Sequence, residues 1–381
     1  MRKFLNISVL SAMLLGLALS NVVHAQSHQE EHAQESAAAS PIEGEVEQLA
    51  EEANTEEKFD PTTVIMHHIQ DSHGFHVYGE GEEAVSLPLP VILYTDAGLI
   101  TFMSSAFHHD DHGHEKVERK GLRFVNYHDD IYELNPGAES LEFGEEHAVL
   151  NASLPLDFSI TKNVFTLFLG SIIILLIFTT VAAGYKKRAV PTGLAGFMEP
   201  LVVFVRDEIA EPNIGPKYAR YMPYLLTLFF FIWVINLIGL VPFFPFSANL
   251  SGNISFTLTM AFIALLVVNF SGNKYYWKHI FAPKPWWLWP ILFVIEFLSN
   301  VVIKFFALMI RLFANITAGH IIVLSLISLI FIFKSAYMSA VSVPFALFIS
   351  VLELLVAALQ AFIFTLLTAL FIGQAVAEDH H

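Results

Sequence analysis

The chain has 381 residues, of which 55% are hydrophobic, only 15% are charged and none is cysteine. That balance excludes an ordinary water-soluble protein, and the lack of cysteine excludes disulfides, thiolate catalysis and Cys-ligated zinc or iron–sulfur sites within the chain. The net charge of −16 is unevenly spread: residues 26–150 hold 27 of the 36 acidic residues against five Lys or Arg, whereas residues from 151 onward hold nine acidic and thirteen basic, so two kinds of protein are joined near residue 155.

Met1-Arg2-Lys3 is a short basic start, residues 4–19 are apolar, and Val23-His24-Ala25 resembles a small-x-Ala cleavage site. Residues 1–25 therefore read as a secretory signal peptide, with an uncleaved anchor as the alternative. Either places the following residues on the outer side of a membrane. Residues 26–58 are rich in Glu, Gln, Ala and Ser and read as a disordered acidic linker. Residues 59–153 are expected to form a small β-rich, His-rich extracytoplasmic domain. Within it Leu87-Pro-Leu-Pro-Val-Ile-Leu-Tyr94 and Leu99-Ile-Thr-Phe-Met103 read as strands around a Thr95-Asp-Ala-Gly98 turn.

Residues 26–150 also carry twelve of the seventeen histidines. His108, His109, His112 and His114, interleaved with Asp110 and Asp111, are candidate ligands for zinc, copper or nickel, and His67, His68, His73 and His76 form a second group. The alternative is a solvated tract with only opportunistic metal affinity, and no resident cofactor is expected. An acidic domain at this place also suits a local antenna that raises cation concentration.

Residues 154–381 read as an all-α polytopic membrane domain with about five spans. Residues 164–183 have the length of one span, and Lys186, Lys187 and Arg188 follow at once, which makes that end cytoplasmic by the positive-inside rule. Residues 189–222 read as a cytoplasmic connection, 224–241 as a span leading outward, 243–253 as a short outer loop and 254–270 as a returning span. Lys274, Lys278 and Lys284 again mark the cytoplasmic side. Residues 290–333 and 342–377 would make helices of roughly 65 and 54 Å, against a hydrocarbon layer of about 30 Å. Neither has a strong internal breaker, so two long tilted helices are expected, joined by a short outer turn around residues 335–342.

Those helices carry few strongly polar residues: Glu296, Lys304, Arg311, Asn315, His320, Glu353 and Gln360. A guanidinium cannot shed its proton, and at bilayer depth it costs on the order of 3 kcal/mol on insertion scales. Ala307, Arg311, Ala314, Asn315 and Ala318 share one helical face, small side chains around a single charge. Glu353, Ala357, Gln360, Ala361 and Thr368 make a similar face on the second helix, and such faces admit close helix approach. His320, nine residues after Arg311, points elsewhere and is placed to join Glu353 in a separate aqueous path. The plainer alternative pairs Arg311 with Glu353 inside the fold.

Residues from about 190 to 377 resemble subunit a of the F-type ATP synthase, the stator of its membrane motor. The signature is Arg311-Leu-Phe-Ala-Asn315-Ile-Thr-Ala-Gly319, similar to the family's R-L-F-[GA]-N-x-x-[AS]-G. Gln360-Ala-Phe-Ile-Phe364 resembles the family's last helix, and Asn236-Leu-Ile-Gly-Leu-Val-Pro242 with residues 249–257 resembles its second-span exit and third-span start. The resemblance implies that Arg311 is the stator arginine, that Asn315 and Gln360 stand beside it, and that His320, Glu353 and Asn236 belong to an outer half-channel. Glu296 matches an acidic position of the inner half-channel with about one residue of offset. Gly239 departs from the pattern, standing where many bacterial members have aspartate. The implied partners are the c-ring subunits, peripheral-stalk subunit b, the other ATP synthase subunits and the lipid bilayer, with no nucleic acid. The implied location is the bacterial inner membrane, with the N-terminal domain periplasmic and the C-terminus cytoplasmic. No phosphate-cradling Gly-rich motif is present, so no nucleotide site is expected. A secondary ion or metal transporter with a His-rich collecting domain is the competing reading, and it predicts an internal repeat that the sequence does not display.

Overall fold

The computed structural model describes residues 70–78, 85–108, 110–144, 149–187, 190–241, 248–283 and 285–377. The expected signal peptide and acidic linker, together with His67, His68, His109, Arg188, Pro242, Lys284 and residues 243–247, lie outside them. The described residues fall into two compact units, one of residues 70–162 with 321–347 and the other of 163–320 with 348–377.

In the first unit, β1 (Gly74–Tyr78) pairs with β2 (Val85–Pro88). The strand β3 (Pro90–Thr95) lies between β4 (Gly98–Met103) and β9 (Leu156–Asp157), antiparallel to both. A four-stranded sheet runs in the order β5 (His112–Arg119), β6 (Leu122–Tyr127), β7 (Asp130–Leu134), β8 (Ala152–Ser153). Period-two patterning explains the core: Val91, Leu93, Ile100 and Phe102 point inward to meet Val117, Phe124 and Ile131, while Tyr94 and Leu99 are exposed. The hairpin at Thr95–Gly98 forms as expected, with Gly98 at φ 88°. The single strand expected over residues 87–94 is instead cut at Leu89, because Pro88 and Pro90 on either side have no N–H for a ladder. The Leu89 amide is satisfied by Ser104 Oγ at 3.0 Å and by the His73 carbonyl at 3.3 Å.

His73 is buried, with Nε2 3.0 Å from Asp157 Oδ2. Burial pulls its pKa down, but the hydrogen bond and charge of Asp157 overrule that and hold it above its ordinary value of 6.5. Burial likewise pushes Asp157 up, and bonds from His73 and Ser159 bring it below its ordinary 3.8. The strand pairing runs past residue 153 to Asp157, and the backbone continues to grip the sheet beyond it. The Phe158, Ile160 and Lys162 amides donate to the carbonyls of Ile92, Pro90 and Ser72 at 2.8, 3.0 and 2.9 Å. The chain is thus clamped up to the first residue of α1 (Lys162–Lys187).

The remaining helices are α2 (Leu194–Phe204), continued by a π turn at Val205–Ala210 and a short α segment at Glu211–Ile214, then α3 (Tyr218–Gly239), α4 (Ile254–Ser271) and α5 (Lys274–Phe281). After them come α6 (Trp289–Phe297), a π turn at Leu298–Ile303, α7 (Lys304–Ile332) and α8 (Ala336–Val376). Among the described residues five helices are long and apolar enough to cross a membrane. The expected connection over 189–222 is mostly helical and feeds the core through Val205, Ile209 and Ala210. The same cluster takes Leu225 and Ile232 from α3, Ala261 and Ala264 from α4, Leu308 and Leu312 from α7, and Ala361, Phe364 and Ile372 from α8. Alanines at these crossings let the helices approach closely. Gly373 lies directly against the Asn213 backbone, where any side chain would collide. The long helices form as expected, and α8, at 41 residues, spans about 61 Å. The turn before it is tighter than expected: α8 starts at Ala336, after Lys334 at φ 45°.

Candidate functional site

The small face of α7 is left uncovered. Ala307, Arg311, Ala314, Asn315 and Ala318 are all exposed, while Leu308, Leu312 and Ile316 on the other side are buried. Among the described residues nothing hydrogen-bonds or ion-pairs with the Arg311 guanidinium. The corresponding face of α8 has the opposite fate: Ala357, Gln360, Ala361 and Thr368 are at most 1% exposed and pack within the chain. One small-residue face therefore serves internal packing, and the other is presented outward with a cation at its centre. Asn315 joins them, donating from Nδ2 to Gln360 Oε1 at 2.8 Å.

Glu353 does not pair with Arg311. Its Oε1 lies 3.3 Å from His320 Nδ1, and both side chains are largely buried, at 13% and 17% exposed. Gly319 makes this possible, since a Cβ built there would collide with the Glu353 carboxylate. On α3, Asn236 donates to the Ala357 carbonyl of α8 at 3.5 Å and accepts a hydrogen bond from Ser251 Oγ. Asn249, Ser251, Ser255 and Thr257 are buried around the start of α4. Asn249 Nδ2, Ser255 Oγ, Gln360 Nε2 and Thr365 Oγ1 are buried with no hydrogen-bond partner among the described residues. Buried polar groups left so are normally satisfied by ordered water. Gly239 packs beneath this loop, and a Cβ there would stand 3.3 Å from the Ala248 carbonyl oxygen. A side chain at that position would require the Ala248 backbone to give by a few tenths of an ångström.

A second polar cluster lies on the other side of Arg311. Glu296 Oε2 accepts from Asn300 Nδ2 at 3.0 Å and stands 3.4 Å from His279 Nδ1. Lys304 Nζ donates to Asn300 Oδ1 and to Gln374 Oε1, each at 2.7 Å, and lies 4.8 Å above the Phe371 ring. At about 1.5 Å per residue, Glu296 lies about 22 Å from Arg311 along the helix and His320 about 13 Å in the opposite direction. The two clusters are therefore separated by the level of the arginine.

Of the histidine candidates, His108 Nδ1 lies 3.8 Å from Glu115 and His112 Nε2 3.3 Å from Asp111, while the His112 and His114 rings are 6.2 Å apart. Among the described residues no three His, Asp or Glu side chains converge as a metal site. Sequence reasoning missed Ser251, Ser255, His279, Asn300 and Gln374. The polar run at the start of α4 was a usable signal for the serines. His279 offered none, because its partner is seventeen residues away across a turn.

Residues 164–373 match the family described as ATP synthase A chain. Residues 64–158 match a family described as a domain of unknown function (DUF8433). The chain is 47% identical over 249 residues to ATP synthase subunit a 2 of Chlorobaculum tepidum, covering 63% of this chain and 70% of that one. It is 48% identical over 233 residues to ATP synthase subunit a of Chloroherpeton thalassium, covering 59% and 69%. With ATP synthase subunit a 2 of Chlorobium luteolum the identity is 41% over 314 residues, 80% and 89% of the two chains, a length that reaches beyond the membrane helices into the small domain.

Proposed function

This chain belongs to the ATP synthase A chain family, and on that premise we propose that Arg311 is the stator charge separating two proton paths in a membrane-embedded ATP synthase complex. The observation that carries this reading is the arrangement along α6 and α7: an arginine with no partner among the described residues, on an exposed small-residue face, with one acid–histidine pair on each side of it along the helix axis. The exposed face fits a passing helix of a c-ring that bears one carboxylate per subunit.

In this reading the ends carrying Lys186, Lys187, Lys274 and Lys278 are cytoplasmic. The tryptophans Trp286, Trp287 and Trp289, well exposed beside them, anchor the same interface. The small domain preceding α1 and the hairpin tip at residues 333–335 are periplasmic. Protons enter past the buried polar groups of Asn236 and Ser251, reach His320 and Glu353, and load the ring carboxylate. Asn315 and Gln360 fix the polar surroundings of Arg311. The guanidinium favours the ionised carboxylate as it passes, so each proton must leave before the crossing, and it leaves through Glu296. A potential of about 100 mV supplies roughly 2.3 kcal/mol per proton, and because the paths do not connect, flow requires rotation. Peripheral-stalk subunit b braces the chain against that torque.

The test is Arg311→Ala in the assembled complex in inverted membrane vesicles. ATP-driven acidification is expected to be abolished while ATP hydrolysis by the detached head persists. Normal coupled pumping by this variant overturns the assignment.

A further inference from the structure

The inner path needs a route from Glu296 to water, and His279 supplies one. It lies on α5, the short helix in the basic connection before α6, and its Nδ1 stands 3.4 Å from Glu296 Oε2. The two side chains differ sharply in exposure: His279 is 69% exposed and Glu296 27%. The carboxylate is thus drawn back from solvent, and the imidazole bridges it to the surface. Behind Glu296 the polar chain continues inward through Asn300 and Lys304 to Gln374 on α8. Lys304 lies one hydrogen bond beyond the pair through Asn300, and Lys274 and Lys278 share α5 with His279.

The contact is not needed to hold the turn. Trp289 Nε1 donates to the Phe281 carbonyl at 2.7 Å, and Phe281 stacks on Phe293 with centroids 5.9 Å apart. An ion pair with one largely exposed partner contributes little to stability. The aromatic brace already fixes where His279 sits, which leaves its titrating nitrogen as the feature a substitution would remove.

We propose that His279 is the exit residue of the inner path, taking a proton from Glu296 at Nδ1 and delivering one to cytoplasmic water. In the synthesis direction the Glu296 carboxyl gives its proton to Nδ1, leaving carboxylate and imidazolium. The imidazolium then loses a proton from its exposed nitrogen to water, and exchange with solvent restores the starting tautomer. This rests on the stator reading above and adds a residue to it.

The test uses the assembled complex in inverted vesicles, where the cytoplasmic side faces the medium, and follows ATP synthesis driven by an imposed gradient against medium pH. His279→Ala is expected to lower the rate and to change its dependence on medium pH. Added imidazole restores it, and the dependence on lumenal pH is unchanged. His279→Gln, which keeps a hydrogen bond but has no titrating nitrogen, is expected to fail in the same way. A wild-type profile in His279→Ala, or full activity in His279→Gln, overturns the proposal. Arg311→Ala, assayed in parallel for ATP-driven pumping, separates the two ideas. Normal pumping there removes the stator reading itself, whereas its loss alongside a wild-type His279→Ala profile removes only the exit role.

Discussion

Gly319→Ala tests whether the His320–Glu353 pair conducts protons, because it parts the pair without removing either residue. The new Cβ would occupy space now held by the end of the Glu353 side chain. That end is flexible, so the carboxylate swings away rather than the backbone moving. A turn of this kind costs about 0.5–1.5 kcal/mol in rotamer strain. Replacing a mid-helix glycine by alanine returns about 1 kcal/mol of helix propensity. The two terms nearly cancel, which leaves the lost His320–Glu353 contact as the net cost, and rates are therefore compared per assembled complex. The 3.3 Å separation of His320 and Glu353 does not survive the swing. A misplacement of about 1 Å at a reacting group costs up to about 100-fold in rate, so proton uptake from the periplasmic side is expected to fall by at least about tenfold. The assay is dye-quench acidification in inverted vesicles together with ATP synthesis, normalised to assembled complex. Wild-type rates at normal assembly would refute the reasoning. Shortening the acid as well, in Gly319→Ala with Glu353→Asp, is expected to recover part of the loss.

The two small-residue faces should respond oppositely to the same change. Ala361→Leu overfills a site with no exposed surface and is expected to cost about 1–3 kcal/mol, read as loss of assembled protein. Ala314→Leu sits on the exposed face and should leave the chain stable but block pumping by obstructing the ring; equal effects on folding in both variants count against that division. In the small domain, the His73–Asp157 pair predicts a pH optimum. The raised histidine contributes stability that is complete below about pH 6.5 and fades as pH rises through its folded value, and the lowered aspartate contributes stability lost as pH falls through its folded value below 3.8. Hydrogen-exchange protection of the Phe158 and Ile160 amides, corrected for intrinsic rates, should be greatest between about pH 4 and 6.5. His73→Gln should flatten the alkaline limb, and an unchanged limb would remove His73 as its cause.

Much of the architecture was legible because a bilayer imposes rules that a sequence must display. Apolar length located α1, α3 and α4 to within a few residues, and the over-long α7 and α8 followed from length and the absence of breakers. Local pairing chemistry was harder to read. The run from Leu87 to Tyr94 looked like one strand, yet Pro88 and Pro90 divide it between two partners. The segment over 189–222 read as a connection with Pro, Gly and charges, but Val205, Ile209, Ala210 and Ile214 within it are spent on the core. A π turn, which holds more residues than an α turn, lies at Leu298–Ile303 between Glu296 and Arg311, and no pattern within the sequence marks it.

By itself the sequence determined that this is a polytopic membrane chain with an acidic N-terminal domain, that Arg311 sits on a small-residue face, and that Asn315 shares it. These follow from hydrophobic length, charge placement and helical period, which are properties of one segment at a time. Tertiary structure decided which of the two small faces is buried, since both have the same composition and only packing distinguishes them. It also decided that Glu353 meets His320 across Gly319, that Gly239 packs closely against the Ala248 carbonyl, and that His279 stands beside Glu296. Each of these depends on side chains brought together from different helices, and no periodicity within a single helix encodes them.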